Sequence, residues 1–143
     1  VELLNQDWDV FQDERRAGNY IIARGGWLGD YGDPMTMLDL FASNSGNNDP
    51  QWRYREEPIV APHDKTLNPE QEEFEKALNE SRLTTGKDRD AQLKKAEDVL
   101  MNNHVIAPIY YYTFTNIVDE GKVEGVELTM TNKWDFKNAE LIK

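Results

Sequence analysis

Arg24, Trp27, Asp30 and Asp33 fall within one short stretch, IIARGGWLGDYGDP, residues 21–34. The stretch begins like a buried strand and ends like a glycine loop. An arginine presents a planar fork that matches a carboxylate. An aspartate can hold an ammonium group, and a tryptophan offers a flat wall. The end of a strand in an open α/β sheet is where such folds place ligands. Together these groups suit a zwitterion such as an amino acid or a peptide. Each residue also has a plainer reading: Arg24 as a structural ion pair, Trp27 as core, Asp30 as a turn former.

Other chemistries fit less well. Asp30 and Asp33 are both carboxylates, and hydrolysis across a bond needs two of these about 5 to 9.5 Å apart. Two aspartates three apart in a loop are more often turn residues or helix caps. His63 and His104 are the two histidines. They lie in different elements with no clustered carboxylates, so the sequence gives no zinc site and no other metal site. GGWLGDYG lacks the lysine and spacing of a phosphate loop, and its aspartates would repel phosphate. We therefore expect no catalysis and no cofactor.

The bulk numbers narrow the partners. The chain has 143 residues, a length that suits one domain. Its formal net charge of −11 opposes binding to nucleic acid or to anionic membranes. It has no cysteine, which removes disulfides, thiolate metal sites and cysteine nucleophiles. No run approaches the roughly 18 apolar residues of a membrane span. The chain opens on Val1 inside a strand-like VELL, and we read it as a piece of a longer protein. The lack of a visible leader then carries no weight.

The positioning elements can be read in outline. VELLNQ is strand-like, and the spacing of Leu4, Trp8, Phe11 and Arg15 predicts one helix face. Gly18 should stop that helix, and NYIIAR should form a continuous apolar strand. The three elements would make a parallel β-α-β unit. Asp33 and Pro34 are expected to start a helix over PMTMLDLFAS. NSGNNDPQW reads as a turn-rich connector, and residues 53–67 as extended surface chain. A helix is expected from Asn68 as N-cap with Pro69 first and Gln71 closing a capping box. Its inner stripe would be Phe74, Ala77, Leu78 and Ser81. A second helix would present Leu93, Ala96, Val99 and Leu100, ended near His104, and both helices should coat a sheet. VIAPIYYYTFTNIV reads as a strand. The last residues suggest a turn, a strand and a short terminal element.

The order of these features resembles a known family. Trp8, Gly18, Tyr20, ARGGWLGDY, LFASNSGNN, KAEDVL and APIYYY follow, at compatible spacing, the pattern of the oligopeptide-binding (OppA-like) solute-binding proteins of bacterial ABC importers, family 5. The likeness runs from Val1 to Tyr112 and continues more weakly beyond. It implies an α/β fold with a mixed sheet covered by helices, a lobe of the type II periplasmic-binding-protein (Venus-flytrap) fold. Residues 1–112 would be part of the C-terminal lobe, and 113–143 a tail crossing back toward the first lobe. The resemblance implies that Asp30 holds a peptide's α-ammonium. Arg24 and, less directly because Arg16 adjoins it, Arg15 would serve ligand carboxylates or side-chain pockets. Trp8 and Trp27 would wall those pockets, and Tyr110–Tyr112 would lie near the hinge. The implied partners are a peptide, the permease subunits of an ABC transporter and the missing N-terminal lobe of the same protein. The implied location is the outer face of the cell membrane, by a lipid anchor, or the periplasm. Arg55 to Leu67 exceed the family pattern in length. A binder of another solute on the same fold, such as a sugar or a metal chelate, and a peptide-pheromone receptor are the alternatives.

Overall fold

In the computed structural model the described residues are 2–52 and 67–143. The expectations of extended chain at 53–67 and of added length at Arg55–Leu67 fall outside them, apart from Leu67. The chain divides into two compact units. One is Val1–Trp27 with Pro34–Ala107, and the other is Leu28–Asp33 with Pro108–Lys143.

The first unit is built on helices. α1 spans Trp8–Ala17 and ends as expected at Gly18, whose φ of 77° is the left-handed conformation. Gly18 N–H donates to Arg15 O at 3.1 Å and Asn19 N–H to Glu14 O at 3.0 Å. These two bonds satisfy carbonyls the helix leaves open. α2, Met35–Leu38, is a single turn that tightens into a 3-10 turn, Asp39–Phe41. Pro34, not Asp33, occupies its N-cap position.

α3, Pro69–Leu83, starts where the sequence places it. Asn68 Oδ1 accepts the Gln71 N–H at 2.6 Å, so half of the expected capping box forms. The other half does not. The fully buried Gln71 amide turns inward and donates to Phe41 O and Glu75 Oε1, both at 3.0 Å. The Phe41 carbonyl gains a partner that way, and an unpaired buried carbonyl is costly. Glu75 Oε1 also accepts the Ser43 N–H at 2.7 Å, which ties the start of the next connector to α3.

α4 spans Gly86–Asn102. Past its end His104 adopts φ 55°, and its N–H donates to Met101 O at 3.1 Å. His104 thus closes the helix through its backbone. Phe74, Ala77, Leu78 and Ser81 on α3 are buried, as are Leu93, Ala96, Val99 and Leu100 on α4. Met35 and Leu38 join the apolar members of both stripes in one core, flanked by Phe41, Trp52, Val105 and Ile106. Trp52 meets the Phe74 ring edge-on at 5.6 Å. Among the described residues the two helices therefore cover each other and α2, where a sheet was expected.

The expected parallel β-α-β unit is not formed among the described residues. Residues 2–7 and 19–28 carry no strand pairing. Ile21 and Ile22 stand 98% and 87% exposed. The stretch 105–118, expected as a strand, carries no strand either, with Tyr111 97% exposed. A strand needs a partner backbone, and a parallel pair needs both faces covered. The exposure of Ile21 and Ile22 shows that no such cover reaches them among the described residues.

The second unit is β. β1, Val123–Glu124, pairs antiparallel with β4, Glu140–Leu141. β2, Glu127–Leu128, pairs antiparallel with β3, Trp134–Asp135. Asn132, at φ 56°, shapes the β2–β3 turn, where Asn132 N–H donates to Thr129 O at 2.9 Å. Gly125, at φ 70°, lets β1 lead into β2, and a Cβ there would overlap the Asn138 carbonyl. Among the described residues the protein is thus mixed in α and β, but the sheets are small and antiparallel where one mixed sheet was expected.

Candidate functional site

The C-terminal half of α1 and the connector 42–52 build a polar cluster in the first unit. Trp8, Phe11 and Arg15 lie along one side of α1, with the Trp8 and Phe11 rings 5.9 Å apart. The Arg15 guanidinium sits 5.5 Å over the Phe11 ring, within reach of a cation–π attraction. Leu4, expected on the same face, lies before the helix begins.

Arg15 Nε is 2.9 Å from Asp49 Oδ2, and both side chains are largely shielded, 16% and 24% exposed. The contact is an ion pair without the angle of a directed hydrogen bond, for Nε is buried and makes none. Two further bonds hold the connector there. The Tyr20 hydroxyl donates to the Asp49 main-chain carbonyl at 2.8 Å. The Gln51 amide donates to Arg16 O, also at 2.8 Å. The connector is itself folded by turns, with Asn48 N–H to Ser45 O and Gln51 N–H to Asn48 O. The Asn48 side chain is buried, and its amide donates to Ala42 O and Trp52 O. Burial of the Tyr20 hydroxyl, and then the Asp49 charge, push its pKa up, while Arg15 pulls it down.

The residues singled out in the sequence are placed as follows. Trp8 and Arg15 come together through Phe11. Arg24 and Trp27 belong to the same unit, at exposed positions, Trp27 at 36%. Asp30 is exposed and belongs to the second unit. In that unit Gly32 lies so close to Met130 Sδ that a Cβ there would displace the thioether. Tyr110 and Tyr112 pack edge-on at 5.2 Å with Tyr111 pointing to solvent. Asp49 was missed. No periodicity links it to Arg15, and an acid in an asparagine-rich loop reads as a turn former. Among the described residues no group of three or more His, Asp or Glu side chains is arranged to hold a metal. No helix of the described residues is long and apolar enough to cross a membrane.

No family model matches the chain. Curated relatives do. The chain is 40% identical over 141 residues to the oligopeptide-binding protein OppA of Bacillus subtilis, across 97% of this chain and 23% of that protein. It is 35% identical over 119 residues to the periplasmic oligopeptide-binding protein OppA of Haemophilus influenzae, across 82% of this chain and 19% of that protein. It is 35% identical over 114 residues to the periplasmic murein peptide-binding protein MppA of Escherichia coli, covering 79% and 18% respectively. Homologues of this chain are therefore OppA-type oligopeptide-binding proteins, of whose length it spans about a fifth.

Proposed function

We propose that this chain is a C-terminal portion of an extracellular or periplasmic protein that captures oligopeptides and delivers them to an ABC transporter permease. The observation that carries this is 40% identity to an oligopeptide-binding protein across 97% of the chain. In the whole protein the chain would contribute to one lobe of a type II Venus-flytrap fold. Residues 113–143 would cross back toward the N-terminal lobe, and a lipid anchor or periplasmic confinement would keep the protein outside the cytoplasm. Lobe closure around peptide would be the signal read by the permease.

The residue assignments are those the resemblance implies, and charge and shape agree with them. Asp30 would take the peptide's α-ammonium. Arg24 would serve ligand carboxylates and Arg15 a side-chain pocket, and Trp8 and Trp27 would wall such pockets. Fixed charges at the peptide's ends, with roomy pockets between them, fit a protein that accepts many sequences. Water can fill what a small side chain leaves. No bond of the ligand need break, so the chain acts as a binder and not as an enzyme.

Calorimetry on the full-length protein tests the reading. Short peptides with a free N-terminus should bind, and N-acetylation should weaken them about tenfold or more, as loss of a charge-assisted hydrogen bond does. Asp30→Asn should weaken free peptides and leave the acetylated ones nearly unaffected. Equal affinity for free and acetylated peptides would remove Asp30 from the site. Binding of a sugar in place of any peptide would overturn the function itself.

A further inference from the structure

Asp49 holds a charge that the proposed function does not use. Its carboxylate lies 2.9 Å from Arg15 Nε, and the Phe11 ring lies 5.5 Å from the same guanidinium. The pair is largely shielded from solvent, so its field is screened less than that of a surface pair. Asp49 is also fixed from behind. Tyr20 holds its carbonyl, Gln51 holds Arg16 O, and Asn48 is buried beneath the turn.

We propose that Asp49 is a specificity-determining residue, a built-in counter-ion that occupies Arg15 and steers the carboxylate end of a peptide away from it. The inference rests on the reading that Arg15 faces the ligand. A second carboxylate reaching Arg15 would come within a few ångström of Asp49, and like charges at that range in a shielded site repel strongly. Arg15 then presents a neutral, aromatic-backed wall along which a peptide chain can continue rather than end. The opposite role, in which Asp49 aims Arg15 at a carboxylate, fits the geometry less well. Aiming a guanidinium is the work of a directed, two-bond fork. Here the Nε contact with Asp49 lacks the angle of a hydrogen bond.

The test uses the full-length protein and two peptides of the same sequence, one ending in a free carboxylate and one in an amide. The readout is the ratio of their affinities, by calorimetry. Asp49→Asn keeps the main-chain carbonyl that Tyr20 holds, and should shift the ratio toward the free acid by roughly tenfold. Asp49→Glu keeps the charge and should leave the ratio near wild type. The double variant with Arg15→Gln should lose the gain. If the asparagine variant does not fold, Asp49→Ser carries the same expectation. A shift toward the amide in Asp49→Asn would show aiming and overturn the proposal. No shift in Asp49→Asn, with a shift in Arg15→Gln, would overturn it while leaving Arg15 at the ligand. No shift in either would remove Arg15 from the ligand site and take the proposal with it.

Discussion

The Tyr20 hydroxyl joins α1's exit to the connector through the Asp49 carbonyl, and its surroundings favour the protonated form. Burial is the larger cause and Asp49 the second, so its folded pKa lies above the ordinary 10.0. A raised folded pKa means that the folded chain holds this proton more tightly than the unfolded chain. The contribution is complete below the unfolded value and is lost as pH rises through the folded one. Tyr20→Phe should therefore flatten the loss of stability as pH rises above 10.0, measured as urea midpoints against wild type. At neutral pH the same variant should lose about 1 kcal/mol, the usual net worth of one hydrogen bond. Asn68 gives a second single-residue expectation. Asn68→Ala should cost about 1 kcal/mol, because the Gln71 N–H loses its acceptor. Asn68 was readable in advance because its partner is three residues away. Asp49 was not, because its partner is brought to it only by the fold.

At the scale of elements, α3 and α4 hold the first unit together through facing stripes. Phe74 is fully buried between them and against Trp52, and Phe74→Ala should cost about 3 to 5 kcal/mol in chemical denaturation. Gly18 ends α1 in a left-handed conformation, and an added Cβ would approach the Gln51 amide to 3.3 Å. Gly18→Ala should destabilise by about 1 kcal/mol or more and loosen the connector with it. The helices were legible because caps and stripes are local: Asn68 with Pro69, Gly18 after Ala17, Phe74 with Leu78. The strands were not. NYIIAR and VIAPIYYYTFTNIV have the composition of strands, but pairing is decided by a partner distant in sequence. The same limit explains why α3 and α4 were expected to cover a sheet. A stripe shows that a helix face is buried and leaves open what buries it.

On the scale of the molecule, much apolar surface stays in solvent. Ile21, Ile22, Ile109, Tyr111 and Ile117 are each nearly fully exposed. Exposed apolar stretches of this kind favour association. The isolated chain should therefore show an apparent mass that rises with concentration in size-exclusion chromatography, and a constant monomer mass would contradict this. Amide hydrogen exchange should be faster over 113–118, which carry no strand or helix, than in the packed helices α3 and α4. The likeness carried by IIARGGWLGDYGDP was visible in the sequence as a set of residues. Their division between two compact units was not, since Trp27 and Leu28 are neighbours in the chain.

Both ladders of the second unit set acid opposite acid: Glu124 faces Glu140, and Glu127 faces Asp135. Like charges directly opposite each other weaken a strand pair. These strands are two residues long, so the repulsion weighs heavily on each. The electrolyte around the protein thereby becomes part of its structure. Dissolved cations that gather between the carboxylates should tighten the tail, and dilution should let it open. Near-ultraviolet circular dichroism, which reports the Trp134 environment in β3, should strengthen as sodium chloride is raised from about 10 mM to about 500 mM.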